Sequence, residues 1–160
     1  MNAEQLAGFF SAHAVWSVSD GGPLVPMYAS KEDDEKPEMK RLAHEQLEDG
    51  VAAGRVLLDN ELRKDRTLIF DGLITLGNEK VDALVVEWRS ASSPEKRMAL
   101  GIPYTPGKAN QKFLVHRPKV LAADDQSRID LEILLNQFWS GVDQHTEGAK
   151  VWNEHMDQSK

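Results

Sequence analysis

The chain has 160 residues, 41% apolar and 28% charged, with 26 acidic against 19 basic side chains for a net charge of −7 at neutral pH, and it contains no cysteine. These figures exclude disulfides and thiolate chemistry and fit one soluble domain with its own core. They also disfavour a nucleic-acid partner, because a negative surface repels phosphate. The first fifteen residues hold neither Lys nor Arg, and Glu4 and His13 interrupt their apolar run. With no 18-residue apolar span in the sequence, neither an export signal nor a membrane helix is predicted, and a cytoplasmic protein with no membrane partner is expected.

Asn2 is placed to cap a first helix, with Gln5 reaching back to complete a capping box. Leu6, Phe9, Phe10 and His13 fall at helical spacing and form its apolar stripe. From Ala14 the period shortens. Val15-Trp16-Ser17-Val18-Ser19 alternates weakly, Asp20-Gly21-Gly22-Pro23 has turn chemistry, and Leu24–Tyr28 returns. Residues 15–28 are therefore predicted as a hairpin, with Pro26 confining its second strand to an edge.

The run Lys31-Glu32-Asp33-Asp34-Glu35-Lys36 is the densest part of a charge asymmetry. Residues 1–62 carry 12 acidic and 5 basic side chains, the whole of the −7, whereas residues 63–160 carry 14 of each. Glu32, Asp33, Asp34 and Glu35 are thus the candidate surface for a protein partner, a basic one being attracted. Pro37 opens a second predicted helix, with Met39, Leu42, Ala43, Leu47, Val51 and Leu58 on or near one face. Gly50 and Gly54, one turn apart, either press that helix onto the sheet or break it.

Residues 66–118 read as four strands, Thr67–Leu76, Val81–Arg89, Arg97–Tyr104 and Phe113–Arg117, each closed by turn chemistry. The connections are too short for parallel crossovers, so an antiparallel meander is predicted. Sorting by parity gives a covered face of Leu68, Phe70, Ile74 and Leu76 with Leu84, Val86 and Trp88, then Met98, Leu100, Ile102 and Tyr104. The other face is mixed: Ile69, Asp71, Leu73 and Thr75 with Val85, Glu87 and Arg89, then Arg97, Ala99 and Gly101, joined by Phe113, Val115 and Arg117. Here Glu87, Arg89, Arg117 and Asp71 are the candidate ligand-binding residues. Carboxylate and guanidinium groups above the small Ala99 and Gly101 suit an anionic ligand; the competing reading is a ladder of surface ion pairs, each worth about 1 kcal/mol or less. Ile69, Leu73, Val85, Phe113 and Val115 on the same face call for cover, either by a second copy in a two-fold dimer or by the 15–28 hairpin.

Beyond Pro118, Asp124-Asp125 offers two caps for a long helix with Leu131, Leu134, Leu135, Phe138 and Val142 as its stripe. Trp152 and Met156, four apart, suit either a short final helix that docks both or a frayed end, and Trp152 is a candidate anchor for a partner. The five histidines show no i,i+2 or i,i+4 pair of the kind that shares a metal, and no nucleophile elbow or phosphate loop is present. No catalytic residue, metal or cofactor is assigned.

The expectation is a single α+β domain over residues 1–160. A helix-hairpin-helix part occupies 1–62, an antiparallel sheet of four to six strands is built on 66–118, and a helical part occupies 124–160. The expected role is a non-enzymatic protein-interaction module of the adaptor, chaperone or immunity type, using its acidic surface. The alternative is an anion-binding domain or enzyme with its site on the mixed face.

Overall fold

The structure, a computed structural model, describes residues 1–124 and 126–159. Helix α1 (Ala3–Val18) starts as predicted: Asn2 Oδ1 accepts the Gln5 N–H and Gln5 Oε1 accepts the Asn2 N–H, both at 2.9 Å. It does not stop at Ala14, so the 15–28 hairpin does not form. Five weakly alternating residues cannot compete with the helical repeat Leu6, Phe10, Ala14 and Val18, all buried. Trp16 ends up on the outer side of the helix, 44% exposed.

Strands β1 (Met27–Lys31) and β2 (Glu38–Arg41) form a hairpin turned by the acidic run, and β2 occupies the predicted start of the second helix. That helix, α2 (Leu47–Asn60), is followed by the meander β3 (Asp65–Leu76), β4 (Glu79–Ser90) and β5 (Ser93–Thr105). Strands β6 (Leu114–His116) and β7 (Lys119–Ala123) lie in tandem along β5. Helices α3 (Arg128–Asp143) and α4 (Thr146–Glu154) and the two-residue β8 (Met156–Asp157) close the chain. The sheet order is β2-β1-β3-β4-β5-β6-β8 with β7 beside β5, antiparallel throughout except where β8 joins β6. The α+β architecture is as predicted; the sheet has eight strands rather than four to six.

The β3–β4 turn decides which residues share a face. Leu76 pairs with Glu79 across Gly77-Asn78, so Leu68 lies opposite Glu87 and Ile69 opposite Val86. Any turn of even length sets even-numbered residues against odd ones, and the parity sorting of residues 67–76 is therefore inverted. Ile69 and Asp71 belong with Leu84, Val86 and Trp88. Val115 pairs with Tyr104, which puts Val115 on that face as well, with Leu114 and His116 alternating to the other side.

This face carries the main core, under α1, α3 and α4. The opposite face, with Leu68 and Phe70, carries a smaller core of Tyr28 and Leu58 under α2. Helix α2 runs unbroken through its glycines, because both are contact points. A Cβ on Gly54 would fall 2.4 Å from Leu68 Cδ1, and one on Gly50 2.5 Å from the Leu42 carbonyl. With both faces covered from within one chain, Ile69, Val85, Phe113 and Val115 are buried, and Leu73 alone of the residues that called for a second copy stays largely in water. Ser127, not Asp124, caps α3, accepting the Asp130 N–H at 3.1 Å; Asp125, the other predicted cap, lies outside the described residues. Among the described residues no helix is long and apolar enough to cross a membrane.

Trp88 ties the sheet to α1 by donating its indole N–H to Glu4 Oε2 at 2.7 Å. Burial pushes the Glu4 carboxyl above its ordinary value near 4.5, outweighing the opposite pull of the Trp88 bond. The native state therefore holds this proton more tightly than the unfolded chain. The resulting stabilisation is full below the ordinary value and is lost as pH rises through the raised one. Glu4→Gln keeps an acceptor for the indole without the charge, and is expected to make the melting temperature depend less on pH across the acid range. A melting profile with the wild-type slope would count against this assignment.

Candidate functional site

The four candidate ligand residues do not gather. Glu87 and Arg89 face α2. Asp71 lies on the opposite face, where the Tyr104 hydroxyl sits 2.8 Å from each of its carboxylate oxygens and burial pushes its pKa up. Arg117 lies beyond β6, in the gap before β7, and lines a cleft against α3. The inverted parity of β3 removes Asp71 from the group, and the pairing of β6 with Tyr104 removes Arg117.

On the α2 side a cleft of ≈ 310 Å³ does open beside Ala99, but its charges are already engaged. Arg55, from α2, grips Glu87 with both arms of its guanidinium, Nη2 to Oε2 at 2.7 Å and Nε to Oε1 at 3.2 Å, while lying over the Phe70 ring. Arg89 pairs with Asp59 at 3.0 Å, and Arg97 with Asp124 at 2.9 Å. The space expected over Gly101 is filled by Ile74 and Leu121, whose Cδ1 atoms would lie 3.0 and 3.3 Å from an added Cβ. Three arginines against three carboxylates form a neutral clasp of α2 and Asp124 on the sheet, and since each pair has one exposed member it is worth about 1 kcal/mol or less. Arg55 was missed in the sequence because its partner is 32 residues away on another element.

The acidic run sits at the far edge of the sheet. Glu32, Asp33, Asp34 and Glu35 are all exposed in the β1–β2 turn, where Asp33 takes the left-handed conformation (φ 43°) that aspartate tolerates. Strand β2 is outermost, and Glu38, Lys40 and Arg41 are exposed along it. The Leu42 N–H bonds inward to the Pro26 carbonyl at 2.8 Å. By the alternation of an antiparallel ladder, the amides of Met39 and Arg41 point outward.

Trp152 lies inside the core, not at the surface where a partner anchor is expected. It is 1% exposed and packs at ring-centroid distances of 5.0 Å from Trp139 and 6.4 Å from Phe138. It belongs to a short last helix, but Met156 lies beyond that helix, in β8. Trp16 is the exposed tryptophan, and it covers a histidine pair that the sequence did not signal, 132 residues apart. His145 caps α4 by accepting the Gly148 N–H on Nδ1 at 2.9 Å, so its own proton is on Nε2, which faces His13 Nδ1 at 3.0 Å. Burial, then His145 and Arg41, hold the His13 pKa below its ordinary value. Among the described residues no three His, Cys, Asp or Glu side chains are placed to hold a metal ion.

A second cleft, of ≈ 490 Å³, opens between α3 and the residues that join β6 to β7. Leu100 and Val142 are buried against it, Trp139 and Met156 are half-buried, and Arg117, Asp143, Asn153 and Gln158 are exposed at its mouth. It exists because β5 loses its neighbour midway. Its partners pass from Tyr104–Val115 to Gly101–Lys119, skipping Ile102 and Pro103 opposite Arg117-Pro118. Both prolines lack the N–H that a continuous ladder would use, which makes the break inexpensive. Comparison of the chain with protein-family models, curated proteins and solved structures finds no match.

Proposed function

We propose that the chain is a non-enzymatic, cytoplasmic interaction module that engages a basic protein through the acidic hairpin at the edge of its sheet. One observation carries this reading: the acidic turn and an unpaired strand edge belong to the same hairpin. The four carboxylates steer a cationic partner. The outward amides of Met39 and Arg41 offer its backbone a strand to add to. By contrast, the charges on the α2 side of the sheet are neutralised by one another, which leaves the anion-binding alternative there without an unengaged group.

The test uses the full chain as bait in a native lysate at low ionic strength, where charge steering is strongest. A basic protein should be retained. The quadruple variant E32Q/D33N/D34N/E35Q should lose it, while E45Q/E48Q/D49N, which removes comparable charge elsewhere in the acidic segment, should keep it. Arg41→Pro deletes an outward amide and leaves the inward ladder intact, and should weaken retention. Wild-type retention by both the quadruple and the proline variant overturns the proposal.

A further inference from the structure

We propose that the cleft between α3 and the Arg117–Val120 stretch binds a small amphipathic carboxylate, its apolar body on Val120, Leu135 and Trp139 and its anionic head on Arg117. The site is separate from the acidic hairpin and lies at the other end of the strand order.

The volume of ≈ 490 Å³ lies within the roughly 300–1,000 Å³ of clefts that enclose small ligands. The division of its lining follows the pattern of such sites, with apolar side chains inside and a few polar ones at the entrance. The partly exposed Leu135, Trp139 and Met156 form its apolar wall, backed by Leu100 and Val142 of the main core, and such a wall favours hydrocarbon.

The charge at the mouth selects the head group. Among the described residues Arg117 makes one hydrogen bond, from Nη2 to the Gln158 carbonyl at 2.8 Å, and no ion pair. That contact leaves donors of the guanidinium fork for a carboxylate, the planar group that a guanidinium grips with two parallel bonds. This contrasts with Arg55, Arg89 and Arg97, each paired to a carboxylate of the chain. One arginine with the acidic Asp143 on the same rim suits a single negative charge and disfavours a polyanion such as a nucleotide. Arg117 and Asp143 form no salt bridge with each other, so the ligand has no internal pair to displace. Asp143 supplies a second handle for testing, because its charge opposes the ligand's.

Calorimetric titration of the full chain with decanoate, decan-1-ol and decylamine separates the head group from the chain they share, and indole-3-acetate asks whether a ring replaces the chain. Decanoate or indole-3-acetate should bind with one saturable site, and decanoate about ten-fold tighter than the alcohol, with the amine weakest. Arg117→Gln should bring decanoate to the level of the alcohol without changing alcohol binding. Asp143→Asn should tighten decanoate severalfold. Val120→Trp, at a half-exposed strand position lining the cleft, should abolish binding while leaving the melting temperature near wild type. Failure of both acids to saturate, decanoate binding no tighter than decan-1-ol, or an unchanged decanoate affinity in Arg117→Gln overturns the assignment. Arg117→Gln is a surface change, so its result does not depend on whether the tryptophan variant folds.

Discussion

Gly141→Ala is expected to cost at least about 3 kcal/mol, at the upper end of overpacking effects, because the added methyl group has nowhere to go. Its Cβ would stand 2.0 Å from the Gln5 carbonyl oxygen and 2.6 Å from its carbon, both backbone atoms of α1. The same crossing is made from the other side by Gly8, whose Cβ would meet the Phe138 carbonyl oxygen at 1.9 Å. One turn further along α1, a Cβ on Gly148 would fall 2.4 Å from the Ala12 carbonyl oxygen. Helix α1 is thus held at backbone contact with both C-terminal helices, and a side chain there must part the helices and open the core around Phe138 and Trp88. Gly8→Ala should behave alike. The double variant should cost less than the two singles together, since one separation relieves both clashes. Gly72→Ala is the control: its Cβ would sit 3.7 Å from its nearest neighbours, and the change should be neutral or stabilise by up to about 1 kcal/mol. Urea unfolding followed by tryptophan fluorescence measures all four. A Gly141→Ala midpoint equal to wild type would refute the close crossing.

Arg66→Met is expected to have the next largest effect, roughly 2–4 kcal/mol from charge-assisted hydrogen bonds lost and carbonyls left unpaired. The Arg66 side chain is 0% exposed and has no salt-bridge partner among the described residues. It spends its donors on three carbonyls: Nε to Leu58 at 2.7 Å, Nη1 to Lys64 at 2.8 Å and Nη2 to Pro94 at 3.2 Å. Leu58 lies in the last turn of α2, whose carbonyls have no partner within the helix, so Arg66 acts as a cap from the neighbouring strand. The same guanidinium fixes the entry to β3 and the β4–β5 turn. Lysine cannot reproduce the fork, so Arg66→Lys should recover only part of the loss. Hydrogen exchange should speed up selectively at the end of α2 and at residues 93–95. Unchanged exchange at those two places would mean that Arg66 is merely tolerated.

The legible parts of the sequence were those fixed within a few residues of themselves. The Asn2–Gln5 capping box, the meander and its turns and the stripe from Leu131 to Val142 all depend on spacing that a short window contains. The faces of the sheet were legible in principle as well, since an even-length turn between Leu76 and Glu79 imposes the odd–even offset that a sorting by parity alone omits. Local pattern does not specify structure where distant contacts decide between preferences of similar strength. Val15–Val18 alternates weakly, yet it is helical because α1 is enclosed between the sheet and the C-terminal helices. Residues 38–41 have a helical pattern ahead of them, yet they pair with β1, where a strand edge is available. The candidate site was half legible. Glu87, Arg89 and Ala99 do line one cleft, but whether Glu87 is available depends on Arg55, and no local signal pairs an arginine on one helix with a glutamate on a strand 32 residues on. The sequence alone determined the composition, the α+β class and the concentration of negative charge in residues 1–62. The tertiary structure alone decided which charges neutralise one another, which arginine keeps donors for a ligand, and where an apolar cleft opens, because each of those depends on distances between elements that the chain order does not encode.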